Sequence, residues 1–183
     1  WRSWFKDIIR RQASLRRLYG IWLAARWRKE FERLGIVESQ LRGESVTAAG
    51  APVPWLPLPV VALLEAHLPP GLVVLEYGSG NSTLWWARRA ARVVSVEHDA
   101  AFRARLQPRL PANVEYLHVF AAADGSYENA PARFGRIFDI MVVDGVRRVE
   151  CMHAGLPQLK ETGVMVVDNA ERPELAPGLE FLR

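Results

Sequence analysis

The chain has 183 residues, half of them hydrophobic and 24% charged, which describes a globular protein with ample core and excludes a disordered or low-complexity one. Its single cysteine, Cys151, permits no internal disulfide and suits a reducing, cytoplasmic setting. The net charge of +4 is unevenly divided: residues 1–35 hold ten Lys or Arg against three acids, and the remainder holds fourteen against seventeen. The basic character therefore belongs to the N-terminal segment.

In that segment Trp1, Trp4, Phe5, Ile8 and Ile9 recur at helical spacing, with Arg2, Lys6, Arg10 and Arg11 between them. A second helical stretch with Leu15, Leu18 and Trp22 ends near Gly35, and residues 1–42 form a basic, amphipathic helical extension. Two readings stand side by side. The helices pack on the main domain or on a second copy, giving a homo-oligomer, or they lie on a membrane surface, which the Trp and Arg pattern suits. A nucleic-acid arm is disfavoured because no groove-reading motif is present. The apolar stretch LYGIWLAA at 18–25 is far short of a membrane span, is flanked by arginines and lacks a small-residue cleavage site, so it does not read as a signal peptide. The chain begins at Trp1 rather than Met, as a fragment or trimmed chain would.

Residues 43–59 carry four prolines and read as a linker, followed by the helix-compatible run VVALLEAHL and a PPG stop. From residue 60 to 183 strand-like and helix-like segments alternate. LVVLEY (72–77) leads to a helix STLWWARRAA, and RVVSVE (92–97) to a short helix near Asp99. NVEYLHVF (113–120) precedes a polar loop, AADGSYENAP. IFDIMVVD (137–144) precedes a helix from about Arg148 to Lys160, and GVMVVD (163–168) is a fifth strand. This alternation predicts an α/β fold, a Rossmann-like, doubly wound and mostly parallel sheet.

In such sheets ligands sit at the carboxyl ends of the strands, and those ends here read Glu76, Glu97, Asp144 and Asp168. Acids there suit ribose hydroxyls or a cationic ligand better than a triphosphate. The loop EYGSGNST lacks the lysine of a P-loop and the third glycine of the dinucleotide fingerprint, where Thr83 stands. A nucleotide-dependent oxidoreductase is the runner-up on this loop alone. Glu97, at the end of the second strand, stands where a ribose-binding acid belongs.

The motif E-x-G-x-G, followed one strand later by V-E-H-D, resembles the class I S-adenosylmethionine-dependent methyltransferases over roughly residues 51–175. Pro54-Trp55 before EYGSGNST, the stretch from Asp144-Gly145 through Arg147 to Cys151, and Asp168 to Arg172 resemble a bacterial-type small-molecule branch of that superfamily. The resemblance implies S-adenosylmethionine as cofactor and a small-molecule acceptor, with methylation on oxygen. It implies a cofactor-binding set of Glu76, Gly78, Ser79, Gly80, Asn81, Ser82, Thr83, Glu97, His98, Phe120, Ala121 and Asp144. In this set Glu76 meets the α-ammonium, Glu97 the ribose hydroxyls, and His98, Phe120 and Ala121 the adenine.

The same residues also have plainer readings: Ser82 and Thr83 as helix caps, His98 as the start of a turn. Catechol-type members of the superfamily hold a divalent metal on acids at the ends of the fourth and fifth strands. By that resemblance Asp144, Asp168 and Asn169 are a candidate Mg²⁺ set; otherwise Asp168 and Asn169 are a strand-end turn. The general-base lysine of that group is replaced by Arg147, which stays protonated. The catalytic candidates are thus Asp144 and Arg147, the latter as a binder of an anionic acceptor group. Arg147, Arg148 and Arg172 make either an anion-binding rim or a solvated surface, and Cys151 reads as a small core residue.

After Asp168 fifteen residues follow, room for a short helix or strand rather than the sixth and seventh strands usual in the class. A truncated chain or a second copy covering the sheet edge is expected. A non-catalytic binding module with the same pocket is the other alternative.

Overall fold

The computed structural model describes residues 13–183, and side chains from Arg17 onward. The helical pattern anticipated over Trp1, Trp4, Phe5, Ile8 and Ile9, and the side chain of Leu15, lie outside the described residues. The chain divides into two compact units, one ending at Ala51 and the other running from Pro52 to Arg183. The boundary thus falls inside the proline-rich stretch. Val53 and Leu56 pack on the second unit's core, so the later half of that stretch belongs to the domain rather than to a linker.

The first unit contains α1 (Ala13–Arg33) and α2 (Ile36–Arg42). In α1 the large apolar side chains do not share one face. At 100° per residue Leu18, Ile21 and Trp22 fall on one side and Trp27 and Phe31 on the opposite one, and all five are exposed. Over this part of the extension the anticipated amphipathic stripe is replaced by apolar groups spread around the helix. Among the described residues no helix is long and apolar enough to cross a membrane.

The second unit begins with α3 (Leu58–His67) and continues through β1 (Val73–Tyr77), α4 (Asn81–Ala87), β2 (Arg92–Glu97), α5 (Ala100–Leu106) and β3 (Val114–His118). There follow α6 (Ser126–Asn129), β4 (Phe138–Val143), α7 (Arg148–Gly155), β5 (Leu159–Val167) and α8 (Ala176–Phe181). The strands form one parallel sheet in the order β3-β2-β1-β4-β5.

Alternation along each strand sends Leu75, Tyr77, Val94, Val96, Met141 and Val143 to one face, packed with Cys151 and Met152 of α7. Val74, Val93, Ile140 and Val142 face the other side, against Trp85 and Trp86 of α4 and Val61 of α3. Burial on both faces is why these strands read as continuous apolar runs.

Three segments differ from the sequence reading. Pro157 ends the helix after β4 early, at Gly155, and a short 3₁₀ turn, Leu156–Gln158, leads into β5. β5 starts at Leu159 rather than Gly163. Its register against β4 jumps between Phe138↔Leu159 and Ile140↔Val164, so extra residues of LKETG bulge from the ladder. The stretch read as a polar loop contains α6 and the start of a 3₁₀ turn, Ala130–Phe134, and it buries Tyr127 and Glu128.

Candidate functional site

The strand order reverses between β1 and β4, so the crevice outside their carboxyl ends is the switch point at which open α/β sheets take ligands. Glu76 lies one residue before the end of β1 and is 1% exposed. Its Oε2 accepts hydrogen bonds from the Thr83 hydroxyl and from Ser95 Oγ at 3.0 Å. Its Oε1 is buried and has no hydrogen-bond partner among the described residues. Burial pushes the Glu76 carboxyl up to about 7. The hydroxyls of Ser82, Thr83 and Ser95 oppose that rise, and the nearby charge of Asp144 adds to it. A buried carboxylate oxygen without a partner could receive a cationic donor.

The two glycines of the loop after β1 differ in what they require. Gly78 has φ 87°, and a Cβ added there would lie 2.6 Å from Gly145 Cα, because the turns after β1 and β4 touch through their backbones. The fold itself demands that glycine. Gly80 has extended backbone, φ 170°, and an added Cβ would meet nothing nearer than Ser82 Oγ at 3.9 Å. Neither backbone strain nor protein packing explains a glycine at position 80, whose missing side chain leaves open space beside the loop.

Thr83 fastens the loop from below. Its hydroxyl accepts from Gly80 N at 3.0 Å while donating to Glu76, and Thr83 N donates to Gly80 O at 3.1 Å. The cap role anticipated for this stretch thus falls to Thr83, with Gly80 as the N-cap residue. Asn81 Oδ1 accepts from Arg109 Nη2 at 3.0 Å.

Glu97, at the end of β2 and 4% exposed, finds partners within the protein. Oε2 accepts from Ser79 N (3.2 Å) and Ser79 Oγ (2.6 Å); Oε1 accepts from His98 N (2.8 Å) and Asp99 N (2.7 Å). Ser79 Oγ also shares a 2.7 Å hydrogen bond with the Tyr116 hydroxyl. Burial pushes the Tyr116 phenol up to about 12, so at neutral pH it is a neutral donor. His98 is partly exposed beside Glu97, with Nδ1 3.1 Å from Glu97 Oε1. Past the end of β3, Phe120 is 68% exposed with its ring centroid 4.9 Å from that of His118, and Ala121 is half-buried next to it.

The turn after β4 holds the remaining candidates. Asp144 is half-buried, and its carboxyl is pushed above the usual range by burial and by the charge of Asp168. Arg147 takes a left-handed conformation, φ 51°, uncommon for a long side chain. Its guanidinium forks onto Glu128, Nε to Oε2 at 3.0 Å and Nη2 to Oε1 at 2.8 Å, and holds that carboxyl below its ordinary range. Arg148, 15% exposed, donates to Asp144 Oδ1 at 2.8 Å and to Asn169 Oδ1 at 3.3 Å, with Asp168 Oδ2 3.6 Å away. Both arginines of the anticipated rim therefore point at the protein's own carboxylates, while Arg172 is exposed. Cys151 is fully buried, as a core residue should be.

The geometry thus gathers Glu76, Ser79, Gly80, Thr83 and Glu97 in one loop cluster, and Asp144, Asp168 and Asn169 in another around Arg148. Ser95, Tyr116, Tyr127 and Glu128 join these clusters without having been singled out in the sequence. The polar residue in the apolar run VVSVE is the one signal that marks any of them, Ser95.

The S-adenosylmethionine set fits on two observations, the unpartnered Glu76 Oε1 and the open side of Gly80. The metal set does not fit as arranged. Asp144 Oδ1 and Asn169 Oδ1 accept from a guanidinium that also stands 3.6 Å from Asp168 Oδ2, and among the described residues no group of three or more His, Cys, Asp or Glu side chains is gathered to hold a metal.

No family model matches the sequence, nor does any curated protein. Among solved structures the chain is similar to a methyltransferase-like protein from Silicibacter pomeroyi, with 26% identity, a TM-score of 0.56, and coverage of 71% of this chain and 80% of that one. It is also similar to precorrin 8w decarboxylase from Methanobacterium thermoautotrophicum, with 23% identity, a TM-score of 0.54, and coverage of 76% and 78%. The second likeness is one of fold alone. With the sheet order and the acid-lined strand ends, the first gives the chain a Rossmann-like methyltransferase fold.

Proposed function

We propose that the protein transfers a methyl group from S-adenosylmethionine to an oxygen of a small-molecule acceptor. The observation that carries this reading is Glu76 Oε1, a buried carboxylate oxygen without a partner among the described residues, on the strand that borders the switch point, with Gly80, a glycine that protein packing does not explain, in the loop that follows. When bound, S-adenosylmethionine supplies an electrophilic methyl group on a sulfonium.

The chain's own residues then do the rest. Glu76 receives the α-ammonium through Oε1, and Gly80 lets the methionine portion lie close to the backbone. Glu97 would hold the ribose hydroxyls. His98, Phe120 and Ala121 border the adenine. Asp144, whose carboxyl is raised by burial and by Asp168, accepts the proton of the acceptor hydroxyl. Arg147 stays protonated and bound to Glu128, so it shapes the acceptor side of the crevice rather than removing a proton.

Methyl transfer to a positioned acceptor mainly requires alignment and proton removal, which this set provides. The test is transfer of labelled methyl from S-adenosylmethionine to a panel of hydroxylated small molecules. Asp144→Asn is expected to slow transfer by at least about 100-fold, the scale of general-base catalysis, with cofactor affinity within a factor of a few. Equal rates for wild type and variant would remove Asp144 from the base role.

A further inference from the structure

Three side chains at the ends of β4 and β5, Asp144, Asp168 and Asn169, have the oxygen donors a divalent cation would need. The space between them is taken by Arg148, at the first position of α7. Its five N–H groups all point at oxygen. Nε donates to Gly145 O at 2.9 Å, and Nη1 to Asp168 O at 2.5 Å and Asn169 Oδ1 at 3.3 Å. Nη2 donates to Asp144 O at 3.3 Å and Asp144 Oδ1 at 2.8 Å. Asp168 Oδ2 lies 3.6 Å from Nη1, and the Arg148 side chain is only 15% exposed.

The backbone is shaped for this arrangement. Arg147 at φ 51° begins the turn that sends Arg148 inward, and Asn169 at φ 53° presents its amide oxygen to the same guanidinium. Left-handed backbone is uncommon for residues other than glycine, and here it brackets the cluster on both strands.

We infer that the Arg148 guanidinium is the cation around which Asp144, Asp168 and Asn169 are assembled, and that it excludes a divalent metal from this place. A Mg²⁺ ion ligated at about 2.0–2.1 Å would compete with the guanidinium for Asp144 Oδ1 and Asn169 Oδ1, and would stand beside its positive charge. Arg148 is a positioning residue. It fixes the Asp144 carboxylate through Oδ1, so proton removal under the proposed function proceeds without metal. This rests on that functional reading only for the use made of Asp144; the cation assignment stands apart from it.

The test is Mn²⁺ binding to the full chain by electron paramagnetic resonance, without S-adenosylmethionine, so that its outcome is independent of cofactor affinity. Wild type is expected to take up no stoichiometric Mn²⁺ up to about 1 mM, and its melting temperature should not respond to Mg²⁺ or chelator. Arg148→Ala, which frees the oxygens, is expected to bind one Mn²⁺ at least about tenfold more tightly than wild type, with binding abolished by adding Asp168→Asn. Stoichiometric binding by wild type that is lost in Asp168→Asn would overturn the assignment. So would a folded Arg148→Ala that binds no Mn²⁺, because the cluster would then not be a cation site. Should Arg148→Ala fail to fold, Arg148→Gln is read in the same way and the wild-type result stands on its own.

Discussion

Replacing Glu76 by Gln removes a carboxyl whose burial raises it from 4.5 to about 7. Between those values the folded protein holds a proton that the unfolded chain has released, so stability falls as pH rises through this window and levels off above it. A rise of that size corresponds to about 3 kcal/mol by the usual conversion of about 1.4 kcal/mol per pH unit. The neutral amide has no such dependence. Urea unfolding of both proteins from pH 4.5 to 8 should therefore show the stability difference, Gln minus Glu, growing in favour of Gln by about 3 kcal/mol across the range. The absolute offset also contains the cost of an unsatisfied amide, of order 1–3 kcal/mol, but that cost is constant with pH. Parallel curves would refute the reasoning, because they would mean that Glu76 ionises as an ordinary carboxylate and that no buried charge awaits a cationic partner. The same ionisation ties cofactor to pH. A bound ammonium favours the carboxylate form, so S-adenosylmethionine affinity should rise roughly fivefold to tenfold between pH 6 and 7.5 in wild type and stay flat in Glu76→Gln.

Gly80→Ala should leave stability within about 0.5 kcal/mol of wild type in denaturant titrations. In calorimetry it should lower S-adenosylmethionine affinity at least about tenfold, a cost of about 1.4 kcal/mol, by filling the open side of the loop. Gly78→Ala should instead cost about 2 kcal/mol or more of stability, since it combines φ 87° with a collision against Gly145; equal effects at the two positions would mean that the glycines have one role. Glu97→Ala should weaken cofactor binding by about 1–3 kcal/mol, the scale of hydrogen bonds to a charged group. It should also lower stability, because Ser79, His98 and Asp99 lose their acceptor; unchanged affinity would take Glu97 out of the ribose role.

The ends of four strands were legible because β2, β4 and β5 are apolar runs closed by an acid and β1 carries Glu76 just before its last residue. Burial on both faces of a parallel sheet writes that pattern directly into the chain. The loop EYGSGNST could be read as a close-approach turn, but its two glycines could not be told apart. The contact between Gly78 and Gly145 joins residues 67 positions apart in sequence, across two adjacent strands. α6 was hidden because GSYEN has the composition of a turn; its Tyr127 and Glu128 are buried by contacts with Tyr77, Val96 and Arg147, none of them local. β5 began earlier than expected because LKETG is polar and bulged. Arg148 read as one of three arginines, with Arg147 and Arg172, making either an anion-binding rim or a solvated surface. Its inward turn depends on the left-handed backbone of Arg147, and nothing in the sequence VDGVRR distinguishes the arginine that faces Glu128 from the one that faces Asp144.

The most direct test of the central claim is isothermal titration of the protein with S-adenosylmethionine, its demethylated product and NAD. The account expects the first two to bind in the micromolar range with one site, and NAD not to bind. Binding of NAD alone, or none by any of the three to a folded protein, would contradict it.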